Sequence, residues 1–169
     1  MMALKRMFGM AAVLAALSLA LLVPTASAAG PDHSKLGALD IVFDEGVLCD
    51  FAVRWESPAT GSELDFPVQD NGDQVVRLVG RGVLTVTNLD TDASVTLRGG
   101  YRQDLIFHED GSIDVWINGS FLAGYFPTDV GGPAMWWFNG HLHDTVDGTF
   151  TATAHEFVGH ATDVCALLS

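Results

Sequence analysis

Five Asx-Gly pairs punctuate the chain, at Asn71-Gly72, Asp110-Gly111, Asn118-Gly119, Asn139-Gly140 and Asp147-Gly148. Such pairs accept positive φ and are the strongest short-range signal for a β-hairpin turn. Between them apolar residues recur with period two. Leu84 and Val86 alternate with Val83, Thr85 and Thr87, and Val95 and Leu97 share a face after Asn88–Ala93. Ile113, Val115 and Ile117 alternate with Ser112, Asp114 and Trp116, and the same alternation runs through Phe121, Ala123 and Tyr125 and through Phe150, Ala152 and Ala154. Alternation bounded by turn residues predicts half-buried antiparallel strands. Helical spacing is confined to Ala161–Leu168. The expected fold is therefore all-β: a single antiparallel domain of about 8–10 strands in a meander, closed as a small barrel, with a two-sheet sandwich as the alternative.

The apolar run Met7–Val23 stands outside this pattern. Lys5 and Arg6 precede it, Pro24 ends it, and Ala26-Ser27-Ala28 follows. A basic start, an apolar middle and a small-residue exit predict a cleavable secretory signal over residues 1–28. At 17 residues the run is at the lower edge of what spans a bilayer, so no integral membrane span is expected after cleavage. Residues 29–35 read as a flexible leader and 36–169 as the secreted β-rich domain. The chain has 8 Lys+Arg and 21 Asp+Glu. Removal of Lys5 and Arg6 with the signal leaves 6 basic against 21 acidic groups, a formal charge of −15. Charge of that sign repels phosphate backbones and anionic lipid surfaces, which excludes nucleic acid as a partner. An extracellular monomer is expected, with association with the cell wall as a further placement.

Cys49 and Cys165 are the chain's two cysteines. In an oxidising compartment two such residues form a bridge, and this one would join the first clear strand to the last, as barrel closure requires. A catalytic thiolate is disfavoured because Asp50 and Asp163 stand beside these positions and oppose a negative sulfur.

Histidine is the residue type most open to chemistry. His108, His141, His143, His155 and His160 all fall in the second half. On a strand His141 and His143 point to one face, the spacing two ligands of one metal need, with His155, His160, Asp144 or Glu156 available to complete a site. The preferred reading is that they are solvent-facing positions on a polar sheet face, so no metal site and no cofactor is expected. His155-Glu156-Phe157-Val158-Gly159-His160 has the composition of a zinc-protease helix, but a helix needs the histidines four apart rather than five. No serine sits in a Gly-x-Ser-x-Gly elbow. Asp90-Thr91-Asp92 and Asp110–Asp114 offer oxygens without completing a calcium loop. Of the adjacent pair Trp136-Trp137, one ring points inward and the other either meets a ligand or lies under a loop at 127–133.

The segments Val83–Thr91, Gly131-Gly132-Pro133 and Gly159-His160-Ala161-Thr162-Asp163-Val164-Cys165-Ala166-Leu167-Leu168 resemble a group of small secreted proteins of actinobacteria. The resemblance implies a bacterial secreted protein with a two-cysteine frame, and it carries no catalytic residues or cofactor. The function expected is a non-catalytic binding module for a small ligand, a glycan or a protein surface. A secreted enzyme, metal-assisted through His141 and His143, and a structural protein of the cell envelope are the alternatives.

Overall fold

In a computed structural model, residues 30–58 and 60–169 are described, so the expected signal peptide lies outside the described residues. The described residues are all-β apart from one short helix. The strands are β1 (Asp32–Lys35), β2 (Leu39–Phe43), β3 (Val53–Ser57), β4 (Gly61–Asp65), β5 (Gln74–Asn88), β6 (Ser94–Phe107), β7 (Ile113–Tyr125), β8 (Ala134–Val146) and β9 (Ala152–Asp163), followed by α1 (Val164–Leu168). All pair antiparallel in one nine-stranded sheet. β3 and β4 are one long strand interrupted around Pro58: five residues on from Glu56↔Thr85, the partners are Gly61↔Gly80, in the same register against β5. β1 and β2 likewise follow β4 and β3, with a one-residue slip between Leu39↔Ser57 and Lys35↔Ser62. Asp32–Lys35, expected as a loose leader, is thus paired, because β4 offers it an open backbone edge.

Three of the Asx-Gly pairs lie at turns, and two do not. Gly72 and Gly111 take positive φ in tight connections, closed by the Gly72 N–H donating to the Gln69 carbonyl and the Gly111 N–H to that of His108, both at 3.0 Å. At Asp147-Gly148 it is Phe150 that carries positive φ, so Phe150 is an exposed turn residue and not a strand partner of Ala152 and Ala154. A register shift against Thr145 and Val146 then separates those two alanines as well. Asn118-Gly119 and Asn139-Gly140 lie in the middle of β7 and β8. They belong to a row of glycines crossing the sheet: Gly61↔Gly80, Gly82↔Gly99, Gly119↔Gly140 and Gly140↔Gly159. A Cβ on Gly119 would overlap the Gly100 carbonyl oxygen, and one on Gly140 would overlap that of Val158. Glycine kinks in register are a means of bending a sheet sharply.

The row acts as a crease. Beyond Tyr101↔Gly119, β6 and β7 no longer pair, and side chains show how far they have rotated. Tyr101 and Phe121 share one apolar cluster, together with Ile117, Phe138 and Leu142. Leu97, on the same face of β6 as Tyr101, instead packs with Leu122 and Trp137, which point from the opposite face of β7 and β8. The upper halves of β3, β5 and β6 therefore lie over the back of β7–β8. Both tryptophans of the adjacent pair are covered as a result, Trp136 in one cluster and Trp137 in the other.

Asp163 caps α1, its carboxylate accepting the Ala166 N–H at 3.0 Å. Val164 and Leu168 are buried against Leu48, Val53, Val86 and Met135. The Cys49–Cys165 disulfide, with Cα atoms 5.5 Å apart, ties the β2–β3 connection to this helix. It does not close a barrel. β9 pairs with β8 alone, and β1 and β2 pair only with β4 and β3, so the sheet keeps two edges among the described residues. Its interior is filled by folding across the crease instead of by closure, and hydrogen bonding keeps it one sheet rather than a sandwich of two. No helix among the described residues is long and apolar enough to cross a membrane.

Candidate binding cavity at the crease

A cavity of about 340 Å³ lies where the sheet folds. Gly80, Gly82 and Gly99 form part of its wall, and the missing side chains there leave the space that Trp55, Tyr101 and Trp137 border. A Cβ on Gly80 would meet the Tyr101 ring, and one on Gly99 would meet the Trp137 ring, so the two aromatics stand directly over glycines. Leu36, Gly37 and Leu39 line it from the slip between β1 and β2, and Pro58 and Thr60 from the interruption between β3 and β4. The two breaks in the outer strands thus coincide at the cavity. The Arg81 N–H donating to Thr60 O and the Leu36 N–H donating to Gly61 O, each at 3.1 Å, hold the broken segments in place.

Polar groups are few here. Trp55 is satisfied, its Nε1–H donating to the Met135 sulfur at 3.1 Å. The half-buried Tyr101 hydroxyl and the Gln103 amide, on the same face of β6, have no side-chain hydrogen-bond partner among the described residues, yet no polar side-chain atom there is fully buried and unpaired. Burial raises the Tyr101 pKa, so it is a neutral hydroxyl that borders the cavity. An apolar pocket of this size with a small number of convergent polar groups is the usual form of a small-molecule site.

The histidines lie elsewhere. His141 and His143 do share a face of β8, but each has its own partner. His141 pairs with Asn118 across β7. His143 stacks on Trp116 with ring centroids 3.7 Å apart and bonds Asp114 at 3.1 Å. His108 bridges Asp73 at 2.9 Å and Asp114 at 3.2 Å. Those bonds, to Asp73 first, raise the His108 pKa; for Asp114 burial works upward, but bonds from His143, His108 and Thr145 prevail and lower it. Among the described residues no three His, Cys, Asp or Glu converge as a metal site. His155 and His160 fall on β9, a strand and not a helix, and the odd spacing sends them to opposite faces. Asp110 takes a turn role, accepting the Ser112 N–H at 2.9 Å.

One partly buried polar network, with Tyr125 and Asp144 buried and His155 at the surface, was not legible in the sequence. The Tyr125 hydroxyl donates to Asp144 at 2.9 Å and lies 2.8 Å from His155 Nδ1, which is 2.7 Å from the other Asp144 oxygen. The three residues are up to 30 positions apart, and only the β7–β8–β9 register brings them together. Burial, followed by the Asp144 charge, pushes the Tyr125 hydroxyl far above its usual range. A histidine held by a carboxylate is the geometry of a general base, but neither Asp144 nor His155 borders the crease cavity. The network satisfies a buried carboxylate and stands apart from the cavity.

Neither protein-family models, nor curated proteins, nor solved structures give a match to this chain.

Proposed function

We propose that this chain is an exported, non-catalytic binding domain that takes a small, largely apolar ligand in the crease cavity. The observation that carries this reading is a cavity of about 340 Å³ walled by Trp55, Tyr101 and Trp137 over bare glycines. Its volume falls in the roughly 300–1,000 Å³ range of small-molecule pockets. The apolar wall contributes affinity through burial, on the order of 25 cal/mol per Å² removed from water, and the Tyr101 hydroxyl and Gln103 amide orient one polar group of the ligand. Separation of the histidine and carboxylate groups from the cavity favours binding over catalysis. Export rests on the basic–apolar–small pattern of residues 1–28 and agrees with the disulfide.

The test uses 8-anilinonaphthalene-1-sulfonate as an apolar probe, followed by calorimetry and by fluorescence of the tryptophans. Gly37→Trp supplies the control, because Gly37 lines the cavity and a Cβ there meets nothing within 4 Å. Stoichiometric binding by the native protein, reduced about tenfold or more by Gly37→Trp at unchanged melting temperature, is the expected result. Binding that the plug leaves untouched, or no binding at all, refutes the reading.

A further inference from the structure

The two edges of the sheet are unlike. At one, β1 and β2 are short and separated by the slip around Leu36–Ala38. At the other, β9 is a strand of 12 residues with a register shift near its start, between Ala152 and Ala154, and among the described residues it pairs with β8 alone. Long open edges invite pairing, and proteins blunt them with lysine, proline or short length. β9 contains no lysine, arginine or proline, and Val158 at its centre is 73% exposed. In a chain of such high negative charge, β9 carries two carboxylates, Glu156 and the terminal Asp163, beside the imidazoles of His155 and His160.

We propose that two copies of this chain associate through antiparallel pairing of their β9 strands about a two-fold axis at Val158. The register follows from symmetry. Paired residues must lie on the same face of the sheet, so the axis has to pass through a residue paired with its own copy. Centring on Val158 sets Glu156 opposite the second copy's His160, twice over, with Val158 facing its own counterpart between them. On the other face Phe157, packed against Phe138 with its ring tip over its own Gly159, falls opposite the second copy's Gly159, which has no side chain to clash with it. Centring on Glu156 would place like charges opposite each other, and centring on Phe157 or Gly159 leaves Glu156 facing Val158 or Thr162.

Sedimentation equilibrium of the purified protein reads the proposal directly. A dimer with Kd on the order of 10–100 µM is expected, as suits a small strand-edge contact. Val158→Lys places two lysines face to face at an exposed site and should raise Kd about tenfold or more without lowering the melting temperature. Glu156→Lys should do the same, because it removes the acceptor opposite the His160 ring, and adding His160→Glu to it should restore association by returning an opposed donor and acceptor. A monomer throughout that concentration range overturns the proposal, and so does a dimer indifferent to Val158→Lys or a double variant that fails to recover.

Discussion

Gly119 and Gly100 are near neighbours in space and differ sharply in what they tolerate. Gly119 has φ +121°, and a Cβ there would overlap the Gly100 carbonyl oxygen; at Gly100 the nearest atom to an added Cβ is the Arg81 Cβ at 3.4 Å, an ordinary contact. Gly119→Ala is therefore expected to cost roughly 3 kcal/mol or more, from the strained φ and the displaced strand together, and Gly100→Ala under about 1 kcal/mol. Urea denaturation of the two variants decides it, and equal costs would remove the crease as the reason for glycine at position 119. Residue chemistry alone marked both Asn118-Gly119 and Asn139-Gly140 as turns, because positive φ serves a hairpin turn and a strand kink alike. What separates the two uses is that Gly119, Gly140 and Gly159 are register partners, a relation between distant segments that no local pattern contains. The alternating residues of β7 were legible for the opposite reason: each has a single environment fixed by its own face. The cavity was not legible at all, since it is built from absent side chains at Gly80, Gly82 and Gly99.

Strand ends are pinned by polar groups as the strand middles are by packing. His108 follows β6, Asp114 opens β7, His143 lies on β8 and Asp73 precedes β5, so bonds centred on His108 and Asp114 join four segments at one end of the sheet. Both partners of His108 are carboxylates, and its folded pKa lies above the ordinary 6.5. A group raised on folding stabilises fully below its unfolded value, and the contribution fades as pH climbs through the folded value. The Asp114 carboxyl is lowered instead, and its contribution holds above the ordinary 3.8 and fades as pH falls through its folded value. His108→Gln should thus be less stable than the native protein at about pH 5.5 by up to about 1 kcal/mol, with the gap narrowing towards about pH 8.5. Chemical denaturation at the two pH values is the measurement. A gap that is constant or widens with pH would show that the imidazole acts as a neutral group. The spacing of His141 and His143 placed them on one face correctly, but partners across β7 decide what each ring does, and Trp116, Asn118 and Asp114 enter only through the register.

At the scale of the whole molecule, an open sheet must be kept folded over its crease, and the disulfide and α1 perform that together. Without closure, the free edges leave the first strands attached only through β5, while β7 and β8 each have partners on both sides. Cys49 and Cys165 are 116 residues apart in the chain, so their bond joins nearly the full length of the sheet. Loop-closure entropy for a span of this size corresponds to about 4–5 kcal/mol at most. Cys49 and Cys165 also lie within the apolar cluster that holds Leu48, Val53 and Leu168, and Asn88, buried beside them, donates its side-chain N–H to the Leu168 carbonyl at 3.0 Å. Those contacts survive loss of the bond, so the sheet should remain folded when it is removed. The double variant Cys49→Ala/Cys165→Ala is accordingly expected to lose about 3–5 kcal/mol in denaturant unfolding while keeping its far-UV circular dichroism. Hydrogen exchange locates the effect: amides of β2, β3 and α1 should lose protection before those of β7 and β8. A loss under about 1 kcal/mol, or protection falling evenly across all strands, would mean that packing across the crease alone holds the two halves together.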